Sequence, residues 1–281
     1  MALQCQARVA LIGGGTMAEA IIGGLLRQGT YRPQDILVGE PLAERRRYLA
    51  EAYGIRAIES NPQAIAESMA DQGMLIVLLA VKPQVLGQVL EGLAGAVPKE
   101  ALVLSIVAGA QIEMIRQKLG TPAVVRIMPN TPGQIGEGIS VWTATPAVTP
   151  VQREAAREIL SALGQEIYVE DEHYLDMATA LSGSGPAYVF LFIEALIDAG
   201  VRMGFARTVA EKLALQTVRG AAIYAQQTGL HPAELRNRVT SPGGTTAEAL
   251  HELEKGGLRA TVANAVWAAY AKARSLGEKK P

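Results

Sequence analysis

Residues 8 to 12, Arg-Val-Ala-Leu-Ile, form a short apolar run, and glycines at 13 to 15 lead from it into a helically spaced stretch, Met17 to Gln28, that stops at Gly29. A strand, a glycine turn and a helix in that order restrict the possible folds more than any other feature of the chain. The turn, Gly13-Gly14-Gly15-Thr16-Met17-Ala18, fits the G-x-G-x-x-A variant of the dinucleotide fingerprint. Gly13 permits the tight turn, Gly15 lets backbone approach a pyrophosphate, and Ala18 lets helix and strand pack closely. The start of the helix adds unpaired N–H donors and a dipole that favours an anion.

A glycine turn that only joins strand to helix has the same composition, so residues farther along the chain decide its weight. Glu40 comes just after the β-type run Ile36 to Val38, where the fingerprint expects an acid for the ribose hydroxyls, an arrangement that favours NADH. Arg45, Arg46 and Arg47 lie close behind it; they are either a solvated helix face or a reach toward a 2′-phosphate. NADH and NADPH both stay open at this point.

Further β-type runs at Met74 to Ala80, Ala101 to Val107 and Val124 to Met128 alternate with helical stretches at about 42 to 53, 62 to 70 and 84 to 93. This alternation predicts a parallel sheet covered on both faces. Gly138 to Trp142 and Glu166 to Val169, flanking a helix over 150 to 163 that Pro150 suits at its start, complete the sheet. From about 171 strand signals vanish, and long Ala- and Leu-rich stretches occupy 186 to 204, 207 to 228 and 258 to 275. The pattern therefore divides the chain into a dinucleotide-binding domain, 1–168, and a helical domain, 169–281, and 281 residues suffice for two cores. Glu278 to Pro281 read as a solvated tail.

Ala80-Val81-Lys82-Pro83 lies at the carboxyl edge, where open α/β sheets bind ligands. Lys82 is placed to touch cofactor or substrate, though a surface charge has the same look. Ser105 to Gly109 and Met128 to Gly133 repeat the arrangement, so three loops converge on one edge. In the helical half, Leu181-Ser182-Gly183-Ser184-Gly185-Pro186 reads as a glycine loop before an apolar helix, with Pro186 suited to its first position. Ser241-Pro242-Gly243-Gly244-Thr245-Thr246 opens another helix, and Thr245 and Glu248 have capping-box spacing. Exposed N–H groups, threonine hydroxyls and the helix dipole can hold a carboxylate there without arginine, although capping alone also accounts for Thr245.

Lys plus Arg total 26 against 27 Asp plus Glu, which gives no basic field for nucleic acid or an anionic membrane. Cys5 is the sole thiol, so an intramolecular disulfide and a cysteine-rich metal site are both excluded, and a reducing compartment fits. No spacing among His173, His231 and His251 suggests metal ligands, and none is expected. The longest purely apolar stretch, Met74 to Val81, is too short to span a bilayer, and the start of the chain lacks signal-peptide features. A soluble, intracellular protein is expected.

The loops at 80 to 84, 105 to 109, 126 to 133, 181 to 190 and 241 to 246, in order along nearly the whole chain, closely resemble the motif set of the pyrroline-5-carboxylate reductases. Most specific are Thr179 to Tyr188 and Ser241 to Thr246, followed by Ala249-Leu250 and Glu254 to Gly257. The resemblance implies an α/β Rossmann-type doubly wound sheet followed by an all-α helical domain that intertwines with a second subunit. It further implies a cytoplasmic homo-oligomer, a dimer or ring of dimers, that uses NADPH or NADH to reduce a small cyclic imine carboxylate, 1-pyrroline-5-carboxylate, to L-proline. Carried over position by position, Ile12, Gly13, Gly14, Gly15, Thr16, Met17, Glu40, Asn61, Ala80, Val81, Lys82, Pro83, Ile106, Val107 and Ala108 line the cofactor. Ser241, Gly243, Gly244, Thr245 and Thr246 bind the substrate carboxylate and ring nitrogen, and Thr246 and Lys82 are the candidates for catalysis. Two departures stand out: the segment from Asn61 to Lys82 is longer than usual, and Gly229-Leu230 precede His231-Pro232 where some members place a glutamate. A β-hydroxy-acid dehydrogenase, the nearest rival, wants a lysine in the first long helix of the helical half, and Met177 to Met203 contains none. A dinucleotide-binding protein without turnover has no need of two substrate-type loops.

Overall fold

The computed structural model describes residues 7–69 and 73–278; Cys5 and tail residues 279–281 lie outside them. The first part alternates β1 (Ala7–Ile12), α1 (Thr16–Gln28), β2 (Ile36–Gly39), α2 (Ala43–Tyr53), β3 (Arg56–Ile58), α3 (Asn61–Ser68) and β4 (Met74–Leu79). It continues through α4 (Leu86–Gly92), β5 (Leu102–Ser105), α5 (Ile112–Leu119), β6 (Val124–Met128), β7 (Gly138–Ala144), α6 (Pro150–Ser161) and β8 (Gly164–Tyr168).

All eight strands join one sheet in the order β3-β2-β1-β4-β5-β6-β7-β8. The first six run parallel. β7 returns antiparallel to β6, and β8 then pairs parallel with β7. The link from Met128 to Gly138 explains the reversal: it is shorter than the dozen or so residues a parallel crossover needs. Successive residues of β1 face opposite ways, as strand geometry requires. Val9 and Leu11 join Leu78, Leu104, Ile21, Ile22 and Trp142 on one face of the sheet. Ala10 and Ile12 join Val77, Val103, Ile65, Leu90 and Ile115 on the other. Burial on both faces is what a parallel sheet flanked by helices demands.

The helical part holds α7 (His173–Ala178), a π turn (Thr179–Gly183), α8 (Gly185–Arg202), α9 (Arg207–Thr228), α10 (Pro232–Arg238), α11 (Thr245–Lys255) and α12 (Leu258–Glu278). By compactness the chain forms two units, Gly185–Ala268 and the remainder, so α7 belongs with the sheet although the last strand ends at Tyr168. An ion cluster gives the reason. Arg126, on β6 and nearly buried, donates to Glu172 at 2.8 Å and to Asp176 at 2.9 Å, and the Ile112 N–H also donates to Glu172 at 2.9 Å.

The reading of 181 to 186 as a loop needs correction. Helix continues through it as a π turn, in which the Ser184 N–H reaches back to the Thr179 carbonyl at 2.8 Å. The resulting run, His173–Arg202, is long and apolar enough to cross a membrane by length and composition, and little of its apolar part is buried. Glu194 and Asp198 interrupt its apolar sequence, which is why Met74 to Val81 remains the longest uninterrupted stretch. In the unit Gly185–Ala268, α8 packs on α9, yet Phe190, Leu191, Met203 and Trp267 are all exposed.

Candidate active site

The strand order reverses between β1 and β4, which opens a crevice at the carboxyl ends of these neighbours. The loops that leave them touch. Gly13 sits at φ +95°, and a Cβ there would lie 2.9 Å from both the Ala80 carbonyl oxygen and Val81 Cγ1. Both the left-handed backbone and the close approach therefore require glycine. The Gly13 N–H donates to the Gly39 carbonyl at 2.8 Å and the Ala80 N–H to that of Ile12 at 2.9 Å, while Ile106 N–H donates to Leu79 at 3.1 Å. These bonds bring the ends of β1, β2, β4 and β5 to one edge.

Above the turn the surface is open. A Cβ on Gly15 meets nothing within 4 Å, and Gly15 caps α1 without any side-chain bond to its first N–H groups. Those donors are available to an anion. Beside the end of β2, the buried Asn61 Oδ1 has no hydrogen-bond partner among the described residues, and the Gly39 backbone passes close against it. An uncapped helix start under open space and an unpaired acceptor next to it fit a dinucleotide.

Glu40 closes this side of the crevice. Its side chain is buried, with Oε2 accepting from the Gly14 N–H and Oε1 from the Leu42 N–H, each at 2.9 Å. Arg45 donates to the Gly14 carbonyl and to Glu19, which also accepts from the Tyr48 and Tyr53 hydroxyls. Burial alone would push the Glu19 carboxyl up, but these hydrogen bonds outweigh it and hold the group below the ordinary carboxylate range. Burial and Glu19 together push Tyr53 up to about 12. Sequence spacing gives no sign of this four-residue network.

Of the other residues expected at the cofactor, Thr16 and Lys82 are exposed and Met17, Ala80, Ile106 and Ala108 are half-buried. Ile12 and Val107 point their side chains into the core, so only their backbone is available at the edge. Pro83 begins a 3-10 turn, Pro83–Val85, that Lys82 precedes in extended backbone.

Near the end of β6, the Asn130 amide group donates to the Ser182 carbonyl at 3.2 Å and its oxygen accepts from the Ile139 N–H at 2.9 Å. Motif spacing does not single out Asn130. A signal is nonetheless present in Pro186, which in a continuous helix denies the Ser182 carbonyl its usual donor four residues on.

The turn over 241 to 246 belongs to the other unit. Gly243 lies at φ +67°, and the Gly244 N–H donates to the Ser241 carbonyl at 3.1 Å. The expected capping box is absent: Gly244 takes the cap position in extended backbone, and Thr245 becomes the first helical residue. The Gly244 carbonyl accepts from the N–H groups of Ala247 and Glu248, while no side chain caps the helix start. Helix α11 thus begins with Thr245 exposed and Thr246 partly so.

Comparison with known proteins assigns both parts of the chain. Residues 172–276 match the family model described as pyrroline-5-carboxylate reductase dimerisation, and residues 8–109 match one described as NADP oxidoreductase, coenzyme F420-dependent. A pyrroline-5-carboxylate reductase of Synechocystis is 45% identical over 97% of this chain and 99% of its own. The chain belongs to the pyrroline-5-carboxylate reductase family. Solved members of this reductase family share its structure: that of Coxiella burnetii is 37% identical with a TM-score of 0.86, covering 98% of this chain and 100% of its own. The Plasmodium falciparum pyrroline carboxylate reductase, solved with NADP bound, is 31% identical with a TM-score of 0.86, covering 96% of this chain and 98% of its own. The fold is accordingly the expected one, a Rossmann-type sheet followed by helices.

Proposed function

We propose that this chain reduces 1-pyrroline-5-carboxylate to L-proline by hydride transfer from NAD(P)H, the last step of proline biosynthesis. The observation that carries the reading is 45% identity to a named pyrroline-5-carboxylate reductase along 97% of the chain. A nicotinamide cofactor bound here supplies the hydride. The residues from Ile12 to Met17, with Glu40, Asn61, Ala80 to Pro83 and Ile106 to Ala108, would hold it.

The chain's own work is binding and orientation. A protonated cyclic imine is already electrophilic, so fixing its carboxylate and ring beside the reductant lowers the barrier mainly through proximity. Ser241, Gly243, Gly244 and Thr245 offer the carboxylate the uncapped start of α11, and Thr246 hydrogen-bonds the ring nitrogen. The carbon gains the hydride, the C=N π pair becomes the nitrogen lone pair, and the proton already on nitrogen stays there. Lys82, exposed at the sheet edge, adds a positive charge near the bound anions.

The division at 168 is functional: the first part binds the dinucleotide, and 169–281 binds substrate and a second copy. Exposed Phe190, Leu191 and Trp267 support a homodimer, or a ring of such dimers. The near-balanced charge gives no basic field for nucleic acid or an anionic membrane, and we place the protein in the cytoplasm. Incubating the purified chain with the imine and either reduced cofactor should yield proline; failure with both, in a folded oligomer, contradicts the reading.

A further inference from the structure

The proposed function leaves the choice between the two reduced cofactors undecided, and a preference between them presupposes that function. We propose that Glu40 makes this chain select NADH and reject NADPH. The residue is 7% exposed and its side chain cannot swing away, because backbone N–H groups hold both oxygens: Gly14 on Oε2 and Leu42 on Oε1, each at 2.9 Å. The backbone is anchored as well, by the Glu40 N–H donating to Ile58 at 2.8 Å.

A carboxylate has about four acceptor sites, so two remain for hydroxyl donors after these bonds. A ribose 2′-hydroxyl can donate to them. A 2′-phosphate brings negative charge and acceptor oxygens to the same place, where a fixed carboxylate repels it. The cations that would answer a phosphate are turned to other work. Arg45 is held by the Gly14 carbonyl and Glu19, while Arg46 donates to the Glu40 and Pro41 carbonyls at 2.8 Å each and pairs with Glu59 at 3.6 Å. Arg47 is exposed on α2 and is the alternative phosphate anchor.

The test is calorimetric titration of the full chain with NADH and with NADPH, without substrate, followed by steady-state kinetics with the imine. NADH should bind at least about tenfold more tightly, a lower bound on what bringing like charges together costs. Glu40→Ser should shrink that ratio by strengthening NADPH, and Arg47→Ala should leave it unchanged. Equal or tighter binding of NADPH by the unaltered chain overturns the proposal without recourse to any variant, and so does a selective loss of NADPH binding in Arg47→Ala. Preferential NADH binding without turnover of the imine would support the cofactor choice while removing the proposed reaction; turnover driven better by NADPH would do the reverse.

Discussion

The Asn130 side chain donates to the Ser182 carbonyl at 3.2 Å, the oxygen that Pro186 deprives of a helical donor, and so ties the loop after β6 to the π turn. Its oxygen meanwhile accepts from the Ile139 N–H. Asn130→Ala leaves two partly buried backbone groups unpaired, and should cost about 2 kcal/mol of stability. Urea unfolding checks this; an unchanged midpoint contradicts it.

Arg126 pairs with two carboxylates at once, and its side chain is only 5% exposed. Arg126→Met keeps most of the buried volume but leaves Glu172 and Asp176 facing each other without a cation, so a loss of about 3 kcal/mol is expected. Denaturant titration of the variant measures it, and Glu172→Gln combined with Asp176→Asn in the same background should recover part of the loss.

The Glu19 network predicts how stability varies with pH. Because the carboxyl is held below its unfolded value, its contribution is present above the unfolded pKa and is lost as pH falls through the folded one. Tyr53 acts in the opposite direction: raised to about 12, it contributes fully below its ordinary value of 10.0 and loses that contribution as pH climbs through the higher one. Melting temperatures of Glu19→Gln should therefore decline less steeply in acid than those of the unaltered chain; parallel curves would show that the network does not link the two helices to pH.

Much of the architecture is legible in the residues because periodicity and turn chemistry agree. The strand, glycine turn and helix over 8 to 28 appear at β1 and α1, and α9 spans the expected 207 to 228. β3 leaves no mark in the sequence because it is three residues long and begins with the exposed Arg56, which is too short for an alternating pattern to emerge. The π turn is hidden by the local composition: Ser182 and Gly183 within it, and Ser184 and Gly185 just after it, carry the signals of a loop, and the bond from Asn130 and those within the helix override them. At the site, spacing finds the glycine turn and Glu40, whereas Arg45, Tyr48 and Tyr53 meet Glu19 only once α1 and α2 are packed.

Two substitutions separate cofactor binding from chemistry. Gly13→Ala forces a side chain onto a backbone at φ +95° and against the Ala80 carbonyl, and should weaken dinucleotide binding by about tenfold or more. Thr246→Ala should lower the rate without unfolding the protein, since the helix start does not rely on a side-chain cap. Fluorescence titration of the cofactor and single-turnover rates distinguish them; unchanged turnover in Thr246→Ala removes that residue from the mechanism.

Hydride delivery to a cyclic imine leaves an isotopic record when the cofactor carries deuterium at its transferable position. Mass spectrometry and NMR of the product should place the label on the ring carbon that was doubly bonded to nitrogen, in L-proline. Proline without the label, or oxidation of the cofactor with no proline formed, would contradict the proposed reaction.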